Sequence, residues 1–143
     1  MGKYQKTKVI SLPLQLAKLT KVYSNISDAT IRNGRLSFNV SIKPLETSES
    51  YLIHVEYIIN LNPRAYLISP PLKQYNGKNP HHIFETNENG QTQLCFYNTK
   101  FGEWNKSMYL ADTIVPWLTS WLFAYEIWQI TGQWHYDEAP TKK

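Results

Sequence analysis

The sequence predicts a single α+β domain over residues 1–143, in which a short helix precedes a four-stranded antiparallel meander, and a loop and a long helix follow it. Three observations lead to this fold class: leucines at helical spacing near the N-terminus, successive segments of alternating apolar and polar residues, and aromatic residues at helical spacing near the C-terminus. Apolar residues make up 42% of the chain and charged residues 18%. This composition favours a folded domain with a substantial core over a disordered chain.

The first predicted elements are a helix and two strands joined by a tight turn. Leucines recur at helical spacing behind Pro13, a residue that the first turn of a helix tolerates, and they predict an amphipathic helix that ends near Tyr23. The Asn33-Gly34 pair accepts positive φ angles at both central positions of a two-residue turn. It therefore predicts a hairpin between residues 26–32 and residues 35–43.

Two more strands and a long loop follow the hairpin. Residues 51–59 alternate apolar and mixed positions, and residues 64–69 complete the meander. Pro70-Pro71 ends the ladder, because consecutive prolines supply no backbone donors. Residues 73–93 are mostly Asn, Gly, Pro, His, Glu and Thr. Such a composition predicts an irregular loop of a length that is usually functional or mobile.

Aromatic and aliphatic residues at steps of three and four predict a long helix that begins near Ile114. Asp112 is the predicted N-cap, and Gly132 is the predicted end. The apolar stripe of this helix places three tryptophans in the core: Trp117, Trp121 and Trp128.

Charge and cysteine content limit the function classes. The net charge is +4, but the basic residues are scattered, which gives little support to nucleic-acid binding. The single cysteine excludes an intramolecular disulfide and fits a reducing compartment. No apolar stretch is long enough to span a bilayer and no signal core is present, so we expect a cytoplasmic protein without a membrane partner. The histidines and the cysteine lack the tight spacing of metal ligands, and we expect neither a metal nor another cofactor.

Cys95 is the candidate nucleophile. A thiolate attacks acyl groups readily, and the resulting thioester stays open to an amine, so one exposed cysteine suffices for acyl transfer without a catalytic triad. The alternative interpretation is structural, because a cysteine between Leu94 and Phe96 is commonly a small buried apolar residue. The polar loop before Cys95 contains His81 and His82, which are candidates for a role in catalysis. The alternative is that both are solvated loop histidines without such a role.

The order of these elements resembles that of ubiquitin-conjugating enzymes over about residues 12–131. A double proline ends the fourth strand, a histidine loop follows, and then come an apolar residue with the cysteine and a tryptophan. The corresponding residues are Pro70-Pro71, Pro80-His81-His82, Leu94-Cys95 and Trp104. A longer set is similar to the bacterial conjugating-enzyme-like proteins of the cyclic-oligonucleotide anti-phage systems called CBASS. That set comprises Leu94-Cys95-Phe96-Tyr97, Glu103-Trp104, residues 111–117, Trp121-Leu122, Tyr125-Glu126 and Thr131-Gly132-Gln133-Trp134.

This resemblance implies the ubiquitin-conjugating fold and a thioester between Cys95 and the C-terminus of a cGAS-like nucleotidyltransferase, which is then passed to an amine. His82 is the implied second catalytic residue, since an imidazole can donate to an oxyanion or accept a proton near neutral pH. His81, Tyr97 and Trp104 are the candidate substrate-binding residues. The main eukaryotic pattern has an Asn two residues after the loop histidine, and this sequence does not.

Three other functions stay open at the level of sequence. One is a conjugating enzyme of another bacterial ubiquitin-like pathway, and another is a variant of the fold that binds a partner without transfer. The third is a module for single-stranded nucleic acid, which needs exposed aromatic residues on a basic sheet face. The predicted strands are polar through Ser and Asn rather than basic, which disfavours the third.

Overall fold

The computed structural model describes residues 8–98 and 102–135, which form an α+β fold as predicted. In chain order the elements are α1 (Leu12–Val22), β1 (Ile26–Arg32), β2 (Arg35–Ile42), β3 (Tyr51–Ile58), β4 (Arg64–Ser69), β5 (Ile83–Thr86), β6 (Thr92–Leu94), a short 3-10 helix (Leu110–Asp112) and α2 (Ile114–Thr131). The predicted first helix and four-stranded meander are confirmed, and their ends agree with the structure to within about one residue.

All six strands form one antiparallel sheet in the order β1-β2-β3-β4-β6-β5. Along β2 and β3 buried residues alternate with more exposed ones, because successive side chains of a strand point to opposite faces. The buried face shares one hydrophobic core with α1 and α2. The opposite face, called the outer face below, carries polar residues that include His54, Glu56 and Arg64.

The segment 73–93 is not irregular throughout, which corrects the sequence prediction. It contains β5 and β6, and the sheet therefore has six strands instead of four. The side-chain amide oxygen (Oδ1) of Asn87 accepts hydrogen bonds from the backbone N–H groups of Asn89 and Gln91, at 2.9 and 3.0 Å, and closes the turn between these strands. Polar residues dominate the hairpin, and it is held by pairing with the edge of β4, so its composition alone concealed the strands.

One predicted end of α2 is confirmed and the other is wrong. Gly132 ends the helix in the left-handed region with φ 76°, and its N–H donates to the Trp128 carbonyl at 2.7 Å. Asp112 does not cap the helix: it ends the 3-10 helix, and its carboxylate pairs with Lys18 of α1 at 2.8 Å. Thr113 occupies the N-cap position, because the 3-10 turn carries Asp112 away from the first turn of α2.

The tryptophans of α2 differ in their burial. Trp121 and Trp128 lie in the core as predicted, whereas Trp117 is only partly buried at the edge of the core. Although α2 is rich in apolar residues, no helix within residues 8–98 and 102–135 is long and apolar enough to cross a bilayer.

A buried glutamine fixes the segment before α2 against α1. The Gln15 side-chain amide donates to the Met108 carbonyl at 2.8 Å, and its oxygen accepts from the Leu110 N–H at 2.8 Å. Gln15 is fully buried, and both of its polar atoms are paired. The chain that follows the cysteine therefore returns to a defined position before α2 begins.

Candidate active site

Cys95 directly follows β6, where this strand leaves the sheet. Its neighbours Leu94 and Phe96 are buried in the core, while Cys95 itself is only half-buried. Because side chains alternate along an extended chain, Cys95 points to the outer face of the sheet. This placement disfavours the interpretation of Cys95 as a small residue of the core.

Cys95 lies beside Arg64 across the sheet. β4 and β6 are antiparallel with Tyr66 opposite Gln93. Continued by two residues, this register leads from Tyr66 to Arg64 and from Gln93 to Cys95, and both Arg64 and Cys95 line the same pocket. On the other side of β4, Arg64 is the register partner of Glu56. A carboxylate, a guanidinium and the thiol therefore form one row across the outer face.

A pocket of about 320 Å³ opens at Cys95. We call it the cysteine pocket; besides Cys95, its lining includes Leu61, Asn62, Arg64, Phe84, Gln93 and Tyr97. Among the described lining residues, Arg64 is the only charged one. Phe84 is 50% exposed, which leaves an apolar surface at the rim. The thiol thus opens into a pocket of mixed polarity large enough for a few residues of an extended peptide.

His82 contacts Cys95 through its main chain. Its carbonyl accepts two hydrogen bonds, from the Cys95 N–H at 2.9 Å and from the Trp121 indole N–H at 3.2 Å. The backbone of His82 lies in the left-handed region with φ 63°, which costs an ordinary side chain about 1–2 kcal/mol. The imidazole ring packs 5.5 Å from the ring of Trp134. His82 therefore connects the cysteine to α2, and its side chain faces the segment after that helix.

The other three predicted site residues occupy different positions. Tyr97 lines the cysteine pocket, and its hydroxyl donates to the Pro63 carbonyl at 2.7 Å. Trp104 is buried, donates to the Thr113 hydroxyl at 2.9 Å and lines a neighbouring pocket of about 390 Å³. The two pockets share Leu61 and Asn62 of the turn between β3 and β4.

His81 is exposed, and its ring lies 6.3 Å from the ring of His82. Neither histidine is among the described residues that line the cysteine pocket. The structure thus brings Tyr97 and Cys95 into one pocket, while the two histidines lie beside it.

A family model described as Type II CBASS E2 protein matches residues 15–142, which is most of the chain. The chain belongs to this family. The match gives this CBASS E2 protein an E2-like conjugating role in an anti-phage defence system. In that role it works with other CBASS components. A search of curated proteins finds no match for the chain.

Sequence reasoning did not assign a site role to two residues of this CBASS E2 protein. Arg64 stands next to the cysteine only because β6 pairs with β4. Trp134 reaches the site because Gly132 reverses the chain after α2, so that the Trp134 ring lies 5.3 Å from Trp121 and 5.5 Å from His82. The tryptophan was visible only as part of the family resemblance, and no local signal pointed to Arg64.

The outer face of the CBASS E2 protein carries an excess of positive charge beside the cysteine. Glu56 is shared between Arg35 at 3.2 Å, Arg64 at 3.6 Å and the His54 ring at 3.3 Å. One carboxylate faces two guanidiniums, and the longer distance is to Arg64. Among residues 8–98 and 102–135, no group of three or more histidine, cysteine or acidic residues could hold a metal ion.

Proposed function

We propose that Cys95 accepts the C-terminal acyl group of a cGAS-like nucleotidyltransferase as a thioester and passes it to an amine. The observation that carries this proposal is the partly exposed side chain of Cys95, which lines a pocket and stands between two buried neighbours. Membership of the CBASS E2 family supports the conjugating chemistry and the choice of a CBASS component as cargo. The single cysteine leaves no other thiol for the reaction and fits a reducing compartment such as the cytoplasm.

The proposed reaction has two acyl transfers. In the first, the Cys95 sulfur attacks the carbonyl carbon of an activated donor, such as another thioester; the new C–S bond forms, and the donor thiolate leaves. In the second, an amine nitrogen attacks the same carbon, the C–S bond breaks, and the Cys95 thiolate is released. The proton lost by the amine passes to a base. No metal or cofactor is required by either step.

His82 is the proposed base or oxyanion donor for the second transfer. Its hydrogen bond to the Cys95 backbone supports the assignment, because it keeps the two residues adjacent. An imidazole can donate to the oxygen of the tetrahedral intermediate or take the proton of the amine. Tyr97 is proposed as an apolar wall for the acyl group, and His81 and Trp104 as contacts for more distant parts of the cargo.

The test uses a synthetic donor, which removes the need for an activating enzyme. The last eight residues of the nucleotidyltransferase from the same operon are prepared as the thioester of a small thiol and mixed with the purified chain. We expect a mass increase by the acyl group that excess thiol reverses, formed faster than the acyl adduct of free cysteine at the same pH. Cys95→Ser should give a thiol-resistant ester or nothing, and Cys95→Ala should give no adduct.

Three outcomes separate the competing functions. An adduct that persists in the Cys95→Ala variant would contradict the proposed nucleophile. Preferential reaction with the tail of a ubiquitin-like protein would assign the chain to another conjugation pathway. Non-covalent binding of the tail, with an adduct no faster than that of free cysteine, would identify a binding protein. The half-buried position of Cys95 predicts that Cys95→Ser changes the melting temperature little, so a loss of reaction is not a loss of folding.

A further inference from the structure

The charge of the cysteine pocket restricts the tails that fit it. Arg64 is the only charged residue among the described lining residues, and it stands opposite Cys95 in the continued β4–β6 register. Its side chain is 44% exposed, so it is accessible to a ligand. A guanidinium that lines the same pocket as the thiol lies within reach of the residues that directly precede a C-terminal acyl group, since an extended peptide advances about 3.3–3.6 Å per residue.

The contact between Arg64 and Glu56 does not neutralise the arginine. Their closest atoms are 3.6 Å apart, longer than a charge-assisted hydrogen bond of about 2.7–2.9 Å. Glu56 is also held by Arg35 at 3.2 Å and by the His54 ring at 3.3 Å. One carboxylate therefore serves several donors, and Arg64 keeps N–H groups that can bind a second carboxylate.

The opposite side of the pocket is apolar. β5 borders β6 on the side away from β4, and Phe84 of β5 lines the pocket with half of its surface exposed. Cys95 thus stands between a cationic wall and an aromatic wall. Side chains of an extended peptide alternate in direction, so neighbouring residues of a bound tail would face these two walls in turn.

We infer that the cysteine pocket selects C-terminal tails in which an acidic residue and an apolar residue stand next to each other directly before a small last residue. The acidic side chain pairs with Arg64, the apolar side chain packs on Phe84, and the small terminal residue brings its carbonyl to the thiol. This inference rests on the proposed function for the position of the carbonyl, and it adds the chemistry of the tail and the residue that reads it.

The test measures binding without acyl transfer. A fluorescent eight-residue peptide that ends in aspartate, phenylalanine and glycine, with a free and unactivated carboxyl group, is titrated against the wild-type chain by fluorescence anisotropy. A second peptide has asparagine in place of the aspartate. We expect the acidic peptide to bind about threefold to fivefold more tightly, which is the upper part of the range for an exposed ion pair. The preference should shrink as the salt concentration rises.

Variants assign the preference to one side chain. In Arg64→Gln the two peptides should bind equally, and Arg64→Glu should favour a peptide with lysine at the acidic position. Arg32→Gln is the matched control, because it removes one positive charge from the sheet but lies on β1, outside the described cysteine pocket and away from the ion pairs of Glu56. It should leave the preference intact. Circular dichroism verifies that the variants are folded, and the salt dependence of the wild type gives an independent measurement.

Two results would overturn the inference: an acidic preference that survives in Arg64→Gln, or the absence of saturable binding by either peptide. The failure of the proposed function is a separate result. If the thioester donor acylates Cys95 but Arg64 does not discriminate between tails, the inference alone fails. If Arg64 discriminates but Cys95 reacts no faster than free cysteine, the pocket binds tails and the proposed transfer fails.

Discussion

Replacing Gly132 by alanine should destabilise the protein at two levels, because this residue both ends α2 and lies against another side chain. Its φ of 76° is in the left-handed region, where an alanine costs about 1–2 kcal/mol. An alanine Cβ would also stand 2.6 Å from one ring carbon of Tyr75 and 3.0 Å from the next. Such contacts force the ring to move.

The Tyr75 ring has limited room to move. It lies 5.9 Å from the ring of Trp128, and its backbone is held by two hydrogen bonds with Lys78, at 2.9 and 3.1 Å. Overpacking of this kind costs about 1–3 kcal/mol. Together with the backbone cost, we expect Gly132→Ala to lower the free energy of unfolding by about 2–5 kcal/mol, with a fall in melting temperature of roughly 10 °C.

Gly90→Ala is the matched control for this substitution. Gly90 has φ 78°, nearly the same as Gly132, but nothing lies within 4 Å of an added Cβ. The control should therefore lose only the backbone contribution of about 1–2 kcal/mol. Urea unfolding followed by circular dichroism measures both variants. In a Tyr75→Ala background, which lacks the ring that the new methyl group meets, Gly132→Ala should likewise cost only the backbone contribution.

Equal destabilisation by Gly132→Ala and Gly90→Ala, within about 0.5 kcal/mol, would refute the argument from the Tyr75 contact. The Gly132 variant should also form the Cys95 adduct more slowly, since Gly132 directs Trp134 back onto Trp121. The Gly90 variant should not, because the described structure contains no corresponding contact of Gly90 with these rings.

Three further predictions concern the site and its surroundings. His82→Gly removes the imidazole while favouring the observed φ of 63°, so it should slow transfer to an amine about a hundredfold but keep the melting temperature. An unchanged rate, or a larger defect in His81→Ala, would contradict the role of His82 as base or oxyanion donor. Trp134→Ala should lower the melting temperature by a few degrees and slow transfer, and Trp134→Phe should restore part of both; a variant with wild-type rates would show that the ring contact is dispensable. Burial raises the pKa of Tyr97 above its ordinary value of about 10, and burial together with the Glu126 carboxylate raises the pKa of Tyr51. The free energy of unfolding should therefore be constant up to about pH 10 and fall above it, with tyrosinate absorbance appearing together with unfolding. Ionisation of all tyrosines without loss of structure would contradict this.

The local elements of the fold could be predicted because their signals are local. The Asn33-Gly34 pair and the alternation around it defined the first hairpin, and the spacing of aromatic residues with Gly132 defined α2. Cys95 was also singled out from the sequence, through its residue type and the resemblance around it. What the sequence pattern did not predict was the hairpin β5–β6, because its polar residues become strands only by pairing with β4.

The surroundings of the cysteine were decided by tertiary structure. Arg64 and Cys95 are far apart in the chain, and the continued β4–β6 register makes them neighbours. The left-handed backbone of His82 and the return of Trp134 onto it likewise depend on contacts with α2. Residue type and spacing determine which elements form and which atom is nucleophilic, because these depend on interactions within a few residues. The charge and shape around that atom depend on strand register and chain reversal, which are set by the packing of segments that are distant in sequence.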